Sequence, residues 1–199
     1  DEVEIYTDVD GVYTADPRIV KNSKKLNEIS YQEMLEMAAS GAKVLHPRSV
    51  EIAAKYGIHI HLRSSFDNSK GTIVKGEEEI KKKKKIVGVS SSKNEGKITI
   101  LGMPDKPGIA AKVFATLAKA KIPTDIIVQS SSTNKELNNI SFTVSKTDLP
   151  EAIAISEKIK TEIGATSILS DGNVAKVSVI GVGLKSHYET TADIFDTLA

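Results

Sequence analysis

Apolar residues fall along this chain in two rhythms. Val3 to Thr7 alternates apolar with polar positions and runs into Asp8-Val9-Asp10-Gly11, which reads as a half-buried strand ending at an Asp-rich turn. Ile58, Ile60 and Leu62 alternate with His59, His61 and Arg63, predicting a second strand with one buried and one polar face. Between them the spacing becomes helical. Ser30 can cap a helix, Glu33 completes a capping box, Ile29 and Met34 sit where a hydrophobic staple closes, and Gly41 stops it. Pro47 suits the first turn of another helix, and Gly57 ends that one.

The back half repeats itself. Lys97-Ile98-Thr99-Ile100-Leu101-Gly102 matches Lys176-Val177-Ser178-Val179-Ile180-Gly181 at an offset of 79, and Val113 to Ala118 matches Ile194 to Ala199 at an offset of 81. The first copy reads strand 97–103, helix about 108–120, strand 125–130, strand 140–145, helix about 149–163 and strand 165–170. That order, βαββαβ, is the ferredoxin-like pattern. Its second helix has Asp148 as cap, Glu151 three residues on, apolar residues at 152, 155, 159 and 163, and Gly164 as its stop. The second copy ends after one helix, which predicts a continuation past Ala199 or completion from elsewhere, with residues 86–90 adding a strand to the unit begun at 174. Ser170-Asp171-Gly172-Asn173 reads as the hairpin turn between the copies.

Composition narrows the classes. The 199 residues carry 27 Lys and Arg against 26 Asp and Glu, a net charge of +1, which gives nucleic acid no support as a partner. With 40% hydrophobic residues the chain can bury a core, and with no Cys it has neither disulfides nor thiolate chemistry, which suits a reducing, cytoplasmic setting. No apolar run reaches the roughly 20 residues of a membrane span, and the acidic start shows no signal peptide. The missing initiator Met hints at a piece of a longer protein. Residues 77–85, EEEIKKKKK, mark the sharpest shift in composition; three glutamates four places before three lysines predict a solvated linker helix and a domain boundary. His59 and His61 have the spacing of metal ligands but no third ligand nearby in sequence, so no metal site is assigned.

One loop offers recognition chemistry. Pro104-Asp105-Lys106-Pro107-Gly108 joins a strand to a helix, so backbone N–H groups at 108–110 form an anion site suited to a carboxylate. Asp105, and Asp125 at the start of the next strand, could receive an ammonium group; Gln129, two pairs along, counts onto the same face as Asp125 and can supply an amide. Together these would hold the two charged ends of a free amino acid. An ordinary tight turn is the competing reading.

The run LGMPDKPGIAAKVFATLA followed by IPTDIIVQSSS resembles the first ACT regulatory domain of the aspartate kinases. TDVDGVYTADPR at 7–18, SYQEMLEMAASGAKVLHPRSVEIA at 30–53, RSSF at 63–66 and GT at 71–72 resemble the end of the amino-acid-kinase domain of that family. The resemblance implies the C-terminal part of an α/β kinase domain over 1–76, a charged linker over 77–85, an α+β ACT domain over 95–171, and a second, incomplete ACT domain from 86–94 and 172–199. It implies ATP contacts from Thr7, Asp8, Tyr13, Arg18, Lys43 and Val44, with Mg2+ accompanying the nucleotide and L-aspartate as phosphoryl acceptor. It also implies an effector, lysine and/or threonine, at Asp105, Lys106, Pro107, Gly108, Ile109, Ala110, Pro123, Thr124, Asp125 and Gln129, and a homo-oligomer paired through ACT domains.

Departures from the family pattern set expectations too. The family's N-terminal phosphate-binding and aspartate-holding segments have no counterpart here, so this stretch alone is expected to be inactive. In the second repeat GVGLKSHYET places Tyr188 and Glu189 where the family has Pro and Gly, which puts effector binding there in doubt. His46 before Pro47 reads as a structural cap rather than an acid or base, and Asp10 as a turn former or a functional group in equal measure. Two rivals remain. A strand followed by Asp8-Val9-Asp10 also resembles haloacid-dehalogenase-type phosphatases, with Asp8 as nucleophile and Asp10 as acid/base. A non-catalytic amino-acid-sensing subunit is the other.

Overall fold

A computed structural model describes residues 1–81, 85–131, 136–181 and 189–199. Lys82–Lys84 of the charged run and Val182–Tyr188 of the second-repeat loop lie outside the described residues. The chain forms two compact units, Asp1–Ser92 with Val177–Ala199, and Lys93–Lys176.

In the first unit, strands β1 (Glu2–Thr7), β2 (Glu28–Ser30), β3 (His59–Ser64) and β4 (Thr72–Lys75) form a sheet in the order β1-β3-β4-β2. β1 runs parallel to β3, with Thr7 opposite Ser64, and β3 runs antiparallel to β4. Helices α1 (Tyr31–Ala39) and α2 (Pro47–Tyr56) supply Met34, Met37, Val50 and Ala53 to a core that also takes Ile60, Leu62 and Val74 from the strands. Alternation along β3 is as the sequence predicts, with Ile60 and Leu62 buried and the two histidines on the other face. The capping box at Ser30 and Glu33 is complete, and Gly57 ends α2 in the left-handed conformation. His46 caps α2, its Nδ1 accepting from the Arg48 N–H at 3.2 Å, a structural part as expected.

The second unit contains α3 (Ile109–Lys119), β6 (Asp125–Ser131), β7 (Leu137–Val144), α4 (Leu149–Ile163) and the greater part of two long strands, β5 (Gly88–Pro104) and β8 (Ser167–Ile180), whose outer ends belong to the first unit; the strand order is β6-β7-β5-β8. Ile98, Ile100, Ile140, Phe142 and Val144 on one face of the sheet pack with Val113 and Leu117 of α3 and Ala152, Ile159 and Ile163 of α4. This is the mixed α/β and α+β architecture expected. Helix α5 (Glu189–Leu198) follows in the first unit.

Three local expectations fail, at the charged run, at the turn between the repeats and at the cap of α4. Among the described residues of the charged run the expected linker helix is not found: Glu77–Glu79 form a 3-10 turn, Ile80 is extended and Glu79 turns to His59 at 3.0 Å. No hairpin turn occupies 170–173, since β8 runs straight through them. The expected pairing of 86–90 with the unit begun at 174 is found, the Val87 N–H donating to Ile180 O at 2.8 Å; from Gly88 this segment runs on into 97–103 as one strand, β5, and the Val89 N–H donates to Thr14 O at 2.7 Å. Asp148 stands at the cap of α4 but makes no capping bond; its carboxylate accepts from the Ser145 hydroxyl at 2.7 Å instead. Residues 86–92 and 177–199 group with the front third rather than standing as a separate unit.

Candidate nucleotide and effector sites

At the carboxyl ends of parallel strands, side chains and loop N–H groups gather where α/β sheets take ligands. β1 and β3 end side by side here, and the Ser65 N–H donates to Thr7 O at 2.8 Å. Thr7 Oγ1 closes the turn on Val9, leaving Asp8 exposed at the strand end. Tyr13 lies on the same loop, its phenol donating to the Asp10 carboxylate. Partial burial pushes the Asp10 carboxyl up, but the Lys25 ammonium and then the Tyr13 hydroxyl outweigh it, so it sits below the usual range. Burial, then the Asp10 carboxylate, raises the Tyr13 phenol.

Arg18 is held by Asp16 in a bidentate pair, Nε to Oδ1 at 3.0 Å and Nη2 to Oδ2 at 2.8 Å, and remains largely exposed. Lys43 is exposed and Val44 half-buried in the loop between α1 and α2, with Val44 packed on the core. Arg18 and Lys43 are each exposed cations of the kind that pairs with phosphate, and Asp8 offers an exposed hard carboxylate oxygen of the kind Mg2+ accepts.

In the second unit a cavity of about 290 Å³ is lined by Asp105 to Ala110 together with Met103, Pro104, Gln129, Asn138 and Ile140. α3 opens at Gly108, which is left-handed, so its first-turn N–H groups border the cavity beside the Asp105 carboxylate. Asn138, nearly buried, donates its side-chain amide to Asp105 Oδ1 at 2.7 Å. An acidic group, two amides, a helix N-terminus and an apolar wall suit a small zwitterion.

Of the residues the sequence singled out, Asp105 to Ala110 and Gln129 come together, while Pro123, Thr124 and Asp125 do not line this cavity. The reason is a bulge. Asp125 pairs with Thr143 but Gln129 with Ile140, an odd separation on β7, so the two side chains project from opposite faces. Asp125 Oδ2 meets Lys176 Nζ at 2.5 Å instead. Asn138 was missed by sequence reasoning; its signal is a polar pair, Asn138-Asn139, interrupting an apolar strand.

The amino acid kinase family matches residues 1–64 and the ACT domain residues 98–158. The aspartokinase of Mycolicibacterium smegmatis is 46% identical over 202 residues, covering 100% of this chain and 48% of that protein. E. coli aspartokinase III, solved in complex with aspartate and ADP, is 28% identical with a TM-score of 0.77, covering 94% of this chain and 41% of that one. Solved with lysine and aspartate, it is 30% identical with a TM-score of 0.71, over 90% of this chain and 39% of that one. The regulatory subunit of aspartate kinase from Thermus thermophilus is 38% identical with a TM-score of 0.54, covering 58% of this chain and 76% of that subunit. The chain thus spans about half the length of the curated relatives it matches. With the amino acid kinase family matched at 1–64, the ACT domain at 98–158 and aspartokinases among its relatives, the chain belongs to the aspartokinase family.

Proposed function

We propose that this chain serves the ATP-dependent phosphorylation of L-aspartate to 4-phospho-L-aspartate, contributing part of the nucleotide site and the amino-acid control of the enzyme. The observation that carries the reading is Thr7, Asp8 and Tyr13 on one loop at the carboxyl end of β1, within the segment that matches the amino acid kinase family. The solved complex of E. coli aspartokinase III with aspartate and ADP supports the same ligands here.

Lys43 and Arg18 would offset phosphate charge, Asp8 would hold Mg2+, and Tyr13 would pack on or hydrogen-bond the nucleotide. Mg2+ neutralises charge on the transferred phosphoryl group when bound. The chain's part in catalysis is positioning and electrostatics. The test is aspartate-dependent ADP release by a full-length aspartokinase carrying this segment. Lys43→Ala and Tyr13→Ala should each raise KM for ATP or cut turnover at least tenfold, and parent-like kinetics in both would sink the assignment. The 199-residue chain alone should release no ADP in the same assay.

The cavity at Asp105–Ala110 is the effector site, with lysine or threonine bound by its carboxylate at the first turn of α3 and by its ammonium at Asp105. Asp105→Ala should weaken binding roughly tenfold to a hundredfold, since a charge-assisted hydrogen bond is worth ~1.5–3 kcal/mol. Calorimetric titration with each amino acid checks it. A second reading, a non-catalytic sensing subunit, draws on the likeness to the Thermus thermophilus regulatory subunit; aspartate-dependent turnover in the full-length protein decides against it.

A further inference from the structure

Lys25 lies between the segments 7–18 and 30–53 that carry the resemblance to known kinases, and none of the expected nucleotide contacts includes it. It nonetheless sits at the centre of the brace on the Tyr13 loop. Tyr13 and Lys25 face each other in an isolated antiparallel bridge, flanked by Leu26 N–H to Val12 O at 2.8 Å and Thr14 N–H to Lys24 O at 2.9 Å. The fully buried Thr72 hydroxyl pins both segments, accepting from the Val12 N–H at 2.9 Å and donating to Leu26 O at 2.6 Å.

Gly11 makes room for this arrangement. Its φ is +150°, and a Cβ there would come within 2.7 Å of Thr72 Oγ1 and 2.9 Å of Lys25 Cδ. The lysine stem therefore lies along the Gly11 backbone, and its ammonium reaches Asp10 Oδ2 at 3.1 Å. Asp10 spends both carboxylate oxygens on Tyr13, at 3.0 and 3.2 Å, while it holds Lys25. A carboxylate that only formed the turn would have no need of a cation fifteen residues away. The arrangement is a relay: the cation fixes the carboxylate, and the carboxylate fixes the phenol.

We propose that Lys25 is a positioning residue of the nucleotide site: acting through Asp10, it fixes the orientation in which Tyr13 meets the nucleotide. The proposal rests on the reading of Tyr13 as a nucleotide contact. It assigns Asp10 to the function rather than to the turn alone.

Steady-state kinetics of a full-length aspartokinase carrying this segment, varying ATP and aspartate separately, test it. Lys25→Met should raise KM for ATP roughly threefold to tenfold, the scale of one ordinary hydrogen bond. The change should fall on KM for ATP rather than on kcat or KM for aspartate, and Lys25→Arg should restore it. In an Asp10→Asn background, Lys25→Met should add nothing. If Lys25→Met leaves KM for ATP unmoved while Tyr13→Ala raises it, the proposal is wrong and the reading of Tyr13 stands. If Tyr13→Ala also leaves it unmoved, that reading falls with it. An effect of Lys25→Met that persists in the Asp10→Asn background means direct contact with nucleotide and overturns the relay. A uniform loss in kcat and both KM values, with a lowered Tm, means a general folding role and overturns it too.

Discussion

Ile126 has a φ of +40°, a conformation that β-branched residues rarely adopt, and it lies in the bulge that sends Asp125 and Gln129 to opposite faces of the sheet. Counting by twos along the sequence puts those two side chains together, because nothing in the residue types of IPTDIIVQ announces the extra residue. The consequence for Asp125 is electrostatic. The Lys176 ammonium, then the Ile126 N–H, holds its carboxyl below the usual range. A carboxyl depressed on folding stabilises above its ordinary pKa of about 3.9, and the contribution disappears as pH falls through the lower, folded value. Asp125 is 60% exposed, so solvent screens the pair and Asp125→Asn should cost no more than ~1 kcal/mol at pH 7. Urea midpoints of the two proteins should differ at pH 7 and 5 and converge as pH falls below the lowered folded pKa of Asp125. Ser156 gives a prediction of opposite sign. Its hydroxyl is buried on α4 without a hydrogen-bond partner, so Ser156→Ala should raise stability by up to ~1 kcal/mol in the same measurement.

Elements governed by local chemistry were legible in the sequence, and those governed by distant partners were not. Ser30 and Glu33 declare α1 within four residues, and the structure returns the full box: the Ser30 N–H donates to Glu33 Oε2 at 3.1 Å and the Glu33 N–H to Ser30 Oγ at 3.2 Å. Ser30→Ala should therefore lower stability by ~0.5–2 kcal/mol, read as a drop in Tm. The glutamates at 77–79 carry an equally plain helical ion-pair pattern, yet His59 on β3 takes Glu79 and Glu28 on β2 accepts from the Lys81 N–H at 3.1 Å. Local pairs on a helix gain a few tenths of a kcal/mol each, too little to outweigh such long-range contacts. The repeat behaved in the same way. Its helices stand at α3 and α5 as the matching runs predict, but the turn signal at 170–173 was overridden because β8 continues as the neighbour of β5. The candidate sites were legible as far as loops were: Asp105 to Ala110 form one wall, whereas Asn138, brought in by strand pairing, needed the fold.

On the scale of the molecule, β6 is an edge strand with every residue exposed, including Ile127 and Val128 at 53% each. An apolar edge of this kind is a template for pairing, and a second copy of the chain is the occupant the family resemblance implies. Sedimentation at micromolar concentration should return a dimer, and Val128→Lys should shift it toward monomer. The same sheet carries another message in its two long strands. Val87 N–H bonds to Ile180 O, and Thr166 N–H to Leu101 O, so β5 and β8 run antiparallel, and the chain leaves the first unit along one and returns along the other. Residues 93–176 are therefore a cassette with both ends at one doorway. Cutting there and closing Ser92 to Val177 with a two-residue Asn-Gly turn should leave a first unit that still unfolds cooperatively, followed by circular dichroism. The same geometry makes the ACT segment exchangeable: evolution, or an engineer, can swap it without rethreading the segment that matches the amino acid kinase family.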